Sequence, residues 1–230
     1  MLWCKDVEFL QGAYALAADL QIEAGRVTAI IGPSGAGKST LLGGIAGFVP
    51  QTGGALLWKG SDITKLAPAK RPVSMLFQDN NLFPHLTVMQ NVALALGSKL
   101  NPTASVRQRV EDMLAQVGLD GLSERKPAAL SGGQQSRAAL ARALLQDRDV
   151  MLMDEPFSAL GPGLKAEMLD LSVALAKEAG RTVVMVTHDP SDAARVADAI
   201  LGVSPNKAWA PISTQDFLND PPEAFVDYLG

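Results

Sequence analysis

The chain has 230 residues, of which 47% are hydrophobic and 19% are charged, so it can bury a core without disulfides. Its single cysteine, Cys4, excludes an internal disulfide and favours a reducing compartment. The formal net charge of −4 at pH 7 gives no general attraction to phosphate backbones, so no nucleic-acid partner is expected. No charged segment followed by an apolar stretch opens the sequence, and no apolar run approaches the length of a membrane span, so we expect a soluble cytoplasmic protein.

The N-terminal part of the chain predicts antiparallel strands that lead into a buried strand. Residues Leu2 to Phe9 alternate loosely between apolar and polar, and Leu16 to Ile22 alternate more regularly, which is typical of two paired strands. Val27 to Ile31 is a continuous apolar run, as in a strand that is buried on both faces. Ala55 to Trp58 is a candidate for one further strand.

A glycine-rich segment lies between that apolar run and a predicted helix from Ser39 to Gly47, and it fits the phosphate-binding pattern G-x-x-x-x-G-K-[ST]. Its glycines let the backbone fold around oxygen atoms, and the first N–H groups of the helix face an anion. We expect Lys38 to contact the β- and γ-phosphates and the Ser39 hydroxyl to bind Mg²⁺. A chance match of a glycine-rich turn is the alternative, which the strand and helix on either side disfavour. The predicted phosphate-binding residues are Gly32, Pro33, Ser34, Gly35, Ala36, Gly37, Lys38, Ser39 and Thr40.

The middle of the chain changes from strand to helix. Val73 to Phe77 predicts another buried strand, which ends at Gln78. From Val88 to Leu145 the apolar residues recur mostly at helical spacing. The predicted helices are Val88 to Leu96, Thr103 to Val117 and Ser131 to Leu145.

The C-terminal part alternates strands and helices, which predicts a parallel sheet with helices on both faces. The predicted elements are a strand from Val150 to Met153, a helix from Leu164 to Ala179, a strand from Thr182 to Val186, a helix from Ser191 to Val196 and a strand from Ala199 to Val203. Active groups in such a sheet gather at the carboxyl ends of its strands. The candidate residues that follow a predicted strand are Gly32, Gln78, Asp154, Glu155 and His188.

Two adjacent carboxylates, Asp154 and Glu155, are candidates for the chemistry itself. Asp154 is suited to hold Mg²⁺ through the water shell at Ser39, and Glu155 can orient and deprotonate an attacking water. The long stretch of chain between Lys38 and Asp154 indicates a helical insertion. The alternative is a carboxylate pair that only caps a helix or solvates a loop.

The segment Ser131-Gly132-Gly133-Gln134 precedes a long predicted helix, whose first turn presents free N–H groups to an anion. By itself the segment is equally compatible with an ordinary loop and helix cap. Together with the phosphate-binding pattern and the carboxylate pair, the order of the motifs becomes far more specific than any one motif.

This combination resembles the ATP-binding subunits of ABC transporters, and the resemblance covers nearly the whole chain. It implies an α/β fold of the P-loop NTPase (RecA-like) type, with a mostly parallel sheet core, N-terminal antiparallel strands and an inserted α-helical subdomain. It also implies one ABC ATPase domain over 1–230. Residues 1–78 and 150–230 would form the nucleotide-binding core, and residues 79–149 would form the helical subdomain that carries the Leu-Ser-Gly-Gly-Gln loop.

The resemblance further implies ATP and Mg²⁺ as cofactors and a head-to-tail dimer, in which each ATP lies between the glycine-rich loop of one copy and the Ser131 to Gln134 loop of the other. It makes Gln78 the glutamine that senses Mg²⁺ and the lytic water, and His188 the histidine that contacts the γ-phosphate. From the residues alone, a lone histidine is more often structural, and we assign His85 to that class. The expected catalytic residues are Lys38, Gln78, Glu155 and His188, the expected metal ligands are Ser39, Gln78 and Asp154, and the expected contacts from the second copy are Ser131, Gly132, Gly133 and Gln134.

Three positions depart from the family pattern. Gln11 stands where an aromatic residue that stacks on adenine is expected, so Phe9 and Tyr14 become the candidates for that role. Gly161 replaces the usual aspartate after Ser158-Ala159-Leu160, and Ser136 replaces a common glutamine. None of these changes removes a group that carries the chemistry.

The stretch from Arg71 to Val88 is closely similar to the corresponding stretch in the ATPases of bacterial thiamine importers. This resemblance implies a transport substrate of thiamine or its phosphates, transmembrane permease subunits, a periplasmic solute-binding protein as an indirect partner, and a location at the cytoplasmic face of the bacterial inner membrane. An importer ATPase for iron, sulfate, polyamine or molybdate would share every catalytic group. An ABC ATPase that acts on DNA or ribosomes is disfavoured because the sequence has no long coiled-coil insertion or basic tract. A P-loop kinase would leave Ser131 to Gln134 unexplained.

Overall fold

The computed structural model describes residues 1–229 of the chain. In this range eleven strands form one mixed sheet, and helices cover both of its faces. The strands are β1 (Leu2–Gln11), β2 (Tyr14–Ile22), β3 (Val27–Ile31), β4 (Gln51–Trp58), β5 (Ser61–Asp62), β6 (Val73–Leu76), β7 (Val150–Asp154), β8 (Thr182–Val186), β9 (Ala199–Ser204), β10 (Lys207–Ala208) and β11 (Ile212–Ser213).

The helices fall into three groups along the chain. One helix follows β3, three lie between β6 and β7, and four follow β7. The α-helices are α1 (Lys38–Ala46), α2 (Val88–Ala93), α3 (Ala104–Gln116), α4 (Gly132–Leu145), α5 (Pro162–Glu178), α6 (Pro190–Val196), α7 (Thr214–Asn219) and α8 (Val226–Leu229), and short 3₁₀ helices occur at Pro68–Lys70, Pro127–Ala129 and Glu223–Phe225.

The sheet order is β5-β4-β1-β2-β10-β9-β3-β8-β7-β6, with β11 paired to β9. The strands β9, β3, β8, β7 and β6 run parallel to one another, whereas β2, β1, β4 and β5 form an antiparallel section. Because parallel strands end at the same edge, the segments after β3, β6, β7 and β8 lie side by side. The predicted fold class is therefore confirmed.

The sheet separates two hydrophobic cores, as the alternation along β7 illustrates. Val150 and Leu152 face a core that α1 shares with the antiparallel strands, and Met151 and Met153 face a core formed with the remaining helices. All four side chains have no exposed surface. This double burial explains why the central strands read as continuous apolar runs rather than as alternating ones.

Several elements extend beyond the sequence predictions, among them β4 and α7. Strand β4 begins at Gln51 rather than at Ala55, because Gln51 pairs with Phe9 across β1. Glycine is uncommon inside strands, so the start of β4 was not predicted. Gly54 has φ 70°, and a Cβ atom there would lie 2.2 Å from the carbonyl oxygen of Asp6, at a bulge in β1. Helix α7 was not predicted, although Ser213 caps it by accepting a hydrogen bond from the Asp216 N–H.

Two buried arginines close the C-terminal ends of α1 and α4, the helices that follow the two glycine-rich motifs. The Arg71 guanidinium donates to the carbonyl oxygens of Gly44 and Ile45, each at 2.7 Å. Arg181 donates to the carbonyl oxygen of Leu144 at 2.5 Å. A cation at a helix C-terminus satisfies free carbonyl groups and opposes the helix dipole. The arginines thereby hold the C-terminal ends of α1 and α4, and the two glycine-rich motifs lie at the opposite ends of these helices.

Between β6 and β7 the regular elements of the described chain are helices, in agreement with the predicted helices. Thr87 begins α2 and Thr103 begins α3 as N-cap residues, and Ser131 begins α4 in the same way. The predicted domain boundaries at 78/79 and 149/150 stay a prediction. Every helix in residues 1–229 is too short or too polar to cross a lipid bilayer.

Candidate active site

The glycine-rich loop connects β3 to α1 at the carboxyl edge of the parallel sheet. Two of its positions admit only glycine. A Cβ atom at Gly32 would lie 2.0 Å from the carbonyl oxygen of Val203, and a Cβ atom at Gly37, where φ is 100°, would lie 2.6 Å from the Tyr14 hydroxyl. The loop is thus packed tightly between β9 and β2.

The N-terminus of α1 is open to an anion. Its N-cap residue, Gly37, has no side chain that could accept hydrogen bonds from the first-turn N–H groups. Within the loop, the Lys38 ammonium donates to the carbonyl oxygens of Gly32 at 2.8 Å and Pro33 at 2.9 Å. Burial lowers the pKa of Lys38, and the nearby carboxylates of Glu155 and Asp154 act in the opposite direction. A buried cation and free N–H groups that converge on one loop are suited to bind phosphate.

The carboxylate at the end of β7, Asp154, contacts the first turn of α1 directly. The Ser39 hydroxyl donates to Oδ1 of Asp154 at 3.1 Å. Burial raises the pKa of Asp154, while the Ser39 hydrogen bond lowers it; the Glu155 carboxylate adds to the rise and Lys38 opposes it. Within residues 1–229, no group of three His, Cys, Asp or Glu side chains could hold a metal ion without other ligands. A hydroxyl and one carboxylate fit Mg²⁺, which usually takes its remaining ligands from water and phosphates.

Glu155 lies beside His188 at the edge of the sheet. Oε2 of Glu155 is 3.4 Å from Nδ1 of His188, and the two side chains are 27% and 60% exposed. Glu155 has φ 43°, in the left-handed region, and its N–H donates to the carbonyl oxygen of Val186 at 3.1 Å. A non-glycine residue held in this conformation at a strand end is a feature of functional sites. The pair can therefore orient a water molecule at the open side of the loop.

Four residues that were not predicted as site residues fix the backbone around His188. The Thr187 hydroxyl donates to Oδ2 of Asp192 at 2.6 Å, and Lys165 forms an ion pair with the same oxygen at 2.6 Å. From the other side, the Tyr228 hydroxyl donates to the carbonyl oxygen of His188 at 2.9 Å. A threonine after a buried strand, followed by an aspartate in the first turn of the next helix, was the available signal for this network.

An open cleft of about 460 Å³ runs along the loop, with Lys38, Ser39 and Glu155 among its lining residues and Asp154 and His188 outside it. Its lining residues are Gln11, Tyr14, Ser34, Gly35, Gly37, Lys38, Ser39, Thr40 and Glu155.

The two aromatic candidates for stacking on adenine occupy different environments. Phe9 has no exposed surface, and a Cβ atom at Gly44 would lie 2.4 Å from its ring, so the Phe9 alternative is wrong. Tyr14 lines the cleft, but its hydroxyl donates to the carbonyl oxygen of Ala36 at 2.6 Å and holds the loop. Gln11 accepts a hydrogen bond from the Thr40 hydroxyl at 2.7 Å.

The remaining predicted site residues lie outside this cleft. Gln78 is exposed and follows the end of β6, where Leu76 pairs with Met153, so it lies at the same sheet edge as Asp154. Ser131 and Gln134 form a reciprocal capping box at the exposed N-terminus of α4. His85 is exposed beside Phe83. At Gly161, the N-cap of α5, a Cβ atom would have no neighbour within 4 Å, so the space that an aspartate would need is open.

The fold and this loop define a P-loop ATPase of the ABC type. The family model described as ABC transporter matches residues 16–158. The chain therefore belongs to the ABC transporter family and is an ABC ATPase, which confirms the predicted family and enzyme class.

Relatives with a more specific description match over nearly their whole length. The thiamine import ATP-binding protein ThiQ of Ruegeria sp. (strain TM1040) is 53% identical, with 100% of both chains covered. The protein of the same description from Cereibacter sphaeroides is 54% identical over 96% of this chain and 95% of its own.

Solved structures resemble the chain in fold. A dimeric post-hydrolysis state of the ATP-binding cassette MJ0796, bound to ADP and Pi, has a TM-score of 0.79 and 30% identity, with 93% of this chain and 99% of that chain covered. The protein cbiO1 of Clostridium perfringens, part of the ABC transporter complex cbiONQ, has a TM-score of 0.82 and 26% identity, with 95% and 90% covered.

Proposed function

We propose that this chain is the ATP-hydrolysing subunit of an importer for thiamine or thiamine phosphates. The observation that carries the proposal is the 53% identity, over the full length of both chains, to a thiamine import ATP-binding protein. Because the transported solute does not touch an ATPase subunit in this arrangement, the cleft around Lys38 is assigned to ATP and not to thiamine.

ATP binding is assigned to the loop and to the groups that converge on it. Lys38 and the first N–H groups of α1 hold the β- and γ-phosphates, and the hydroxyl of Ser39 and the carboxylates at the end of β7 face the same point. Mg²⁺, when bound between Ser39, Asp154 and Gln78, would supply neutralisation of the phosphate charge. Positioning and fixed charge, rather than covalent chemistry, are what this set of residues provides.

Hydrolysis is assigned to Glu155 with help from His188. The oxygen of a water molecule attacks the γ-phosphorus, the bond between that phosphorus and the bridging oxygen breaks, and a water proton passes to the Glu155 carboxylate. His188, 3.4 Å from Glu155, contacts the transferred phosphoryl group. Lys38 stabilises the negative charge on the phosphate oxygens.

The second half of the site is assigned to another copy of the chain. Ser131 to Gln134 lie at the start of α4 and outside the cleft that contains Lys38. The N-terminus of α4 is exposed, with Ser131 and Gln134 as its own caps, and such a helix start is suited to cover a nucleotide that a second copy holds. The dimeric cassette MJ0796, which is 30% identical to this chain, supports a dimer as the assembly, and the head-to-tail arrangement of the two copies is part of the proposal.

The contact surface for the permease is assigned to an apolar groove near Gln78. The groove of about 300 Å³ is lined by Phe48, Met75 and Phe77 among others, and the Phe48 side chain is 58% exposed. Because Phe77 directly precedes Gln78, a helix of a transmembrane permease that docks in this groove would sense the nucleotide site. The chain would then lie at the cytoplasmic face of the bacterial inner membrane, with a periplasmic solute-binding protein as its indirect partner.

A deletion strain tests the transport assignment. We expect the strain to lose uptake of labelled thiamine at limiting supply, and the wild-type gene but not Lys38→Ala to restore it. Normal thiamine uptake in the deletion strain, or a loss of iron, sulfate, polyamine or molybdate uptake instead, would reject thiamine as the substrate.

A further inference from the structure

Arg142, in the last turn of α4, holds the loop that follows Gln78. Its Nη1 atom donates to the carbonyl oxygen of Asn81 at 2.7 Å, and its Nη2 atom donates to that of Asn80 at 2.9 Å. Both asparagines have left-handed backbones, with φ of 48° at Asn81 and 55° at Asn80. The Asn80 N–H donates to the carbonyl oxygen of Phe77 at 3.2 Å, which closes a turn that contains Gln78. The Arg142 guanidinium contacts the end of this turn.

The chemistry of this contact makes it specific. The two carbonyl oxygens are the hydrogen-bond partners of Arg142 within residues 1–229, and burial lowers its pKa. A planar guanidinium can donate to two adjacent acceptors at once, and such charge-assisted bonds are stronger than neutral ones. Two successive left-handed residues cost conformational energy. Arg142 therefore stabilises a loop shape that the asparagines alone would not favour.

Helix α4 connects this contact to the other end of the site. Ser131 caps its N-terminus, and Arg181 caps its C-terminus through the carbonyl oxygen of Leu144. About 16 Å of continuous helix separates Ser131 from Arg142. In the proposed dimer, Ser131 faces the ATP held by the second copy and Gln78 faces the ATP held by its own chain.

We propose that Arg142 is a positioning residue that couples the two nucleotide sites of the dimer. A displacement of α4 when its N-terminus meets the second copy's ATP is transmitted by Arg142 to the Asn80–Asn81 turn, and so to Gln78. The inference rests on the proposed function, because it needs ATP between two copies. It predicts that the two sites hydrolyse ATP cooperatively and that the cooperativity depends on this guanidinium.

Arg142→Met tests the coupling, because it removes both donors and keeps an apolar side chain of similar length. We expect kcat for ATP to fall about tenfold on loss of two charge-assisted hydrogen bonds, the KM for ATP to change little, and the Hill coefficient to fall to about 1. Arg142→Lys, which keeps one charged donor, should recover part of both losses. The matched control is Arg137→Met on the same helix, where the guanidinium donates to the carbonyl oxygen of Val117 at 2.7 Å; it should leave the Hill coefficient unchanged.

A double variant shows whether Arg142 acts through Gln78. In a Gln78→Ala background, Arg142→Met should cause no further loss of kcat, because the residue that it positions is already absent. Independent losses in the double variant, or an unchanged kcat and Hill coefficient in Arg142→Met, would overturn the inference. A wild-type protein without ATPase activity would overturn the proposed function itself. This result differs from those that would overturn only the role of Arg142.

Discussion

At the scale of single residues, the proposed hydrolysis depends on Glu155 more than on any other side chain. Its left-handed backbone and its contact with His188 place a carboxylate at the open side of the loop. Glu155→Gln keeps the shape of the side chain and removes the proton acceptor. We expect kcat for ATP hydrolysis to fall by about two to four orders of magnitude, while ATP affinity stays near that of the wild type and an ATP-bound dimer accumulates.

Single-turnover hydrolysis, ATP binding and size-exclusion chromatography check this prediction. Glu178→Gln, on the exposed end of α5, is the matched control and should behave as the wild type. Hydrolysis by Glu155→Gln at the wild-type rate would show that another group accepts the proton.

Asp154 gives a prediction about pH. Burial raises its pKa above the ordinary carboxyl value, with the Ser39 hydrogen bond acting against the rise. Metal binding needs the ionised carboxylate, so its contribution is present above the raised pKa and is lost as the pH falls through it. The advantage of the wild type over Asp154→Asn in Mg²⁺-dependent nucleotide affinity should therefore shrink on acidification, and it should do so at a higher pH than for an exposed aspartate.

Titrations with Mg²⁺ and a non-hydrolysable ATP analogue over a range of pH values measure this difference. A gap between the two proteins that stays constant with pH would contradict the assignment of Asp154 as a ligand.

At the scale of elements, the positions of α1 and α4 depend on the arginines that cap them. Arg71 is 4% exposed and donates to four carbonyl oxygens, those of Gly44, Ile45, Thr64 and Leu66. Because Arg71→Met removes these donors and leaves the carbonyl oxygen of Ile45 in a buried position without one, we expect it to lower the free energy of unfolding by about 2–4 kcal/mol.

Denaturant unfolding of Arg71→Met measures this loss, with Arg26→Met as the control. Within residues 1–229, the side chain of Arg26 forms an exposed ion pair with Glu23 and no other, so its replacement should cost less than about 1 kcal/mol. Equal losses in the two variants would show that the cap on α1 has no special role.

The elements also show where sequence patterns succeed and fail. The central strands β3 and β8 were predictable because five consecutive residues of mostly apolar type, buried on both faces, leave a local signal. The start of β4 was not, because the glycine at position 54 is required by the bulge in β1, which is a tertiary contact. The contact of Arg142 with the Asn80–Asn81 turn was not predictable either, because an arginine in a helix gives no local signal for the distant carbonyl oxygens that it binds.

At the scale of the whole molecule, the order of motifs along the chain was sufficient to predict the loop, the carboxylates and their shared edge, since parallel strands bring their carboxyl ends together. Sequence could not distinguish Phe9 from Tyr14, because both lie close to Gln11 along the chain and only packing shows that Phe9 belongs to the core. Ser131 to Gln134 lie outside the cleft that contains Lys38 within one chain, so in the proposed dimer the completeness of the site is a property of two copies.

Mixing two inactive variants tests that central claim most directly. Lys38→Ala should prevent the glycine-rich loop of its own copy from holding the ATP phosphates. Ser131→Arg should prevent the Ser131 to Gln134 segment of its own copy from covering the ATP that the second copy holds. Each variant alone should be nearly inactive, whereas an equimolar mixture should regain activity up to about a quarter of the wild-type ATPase rate, since half of the dimers then contain one intact site and coupling between the sites lowers the rate of that site. A Ser131→Arg protein that hydrolyses ATP at the wild-type rate, unchanged on dilution, would contradict the account.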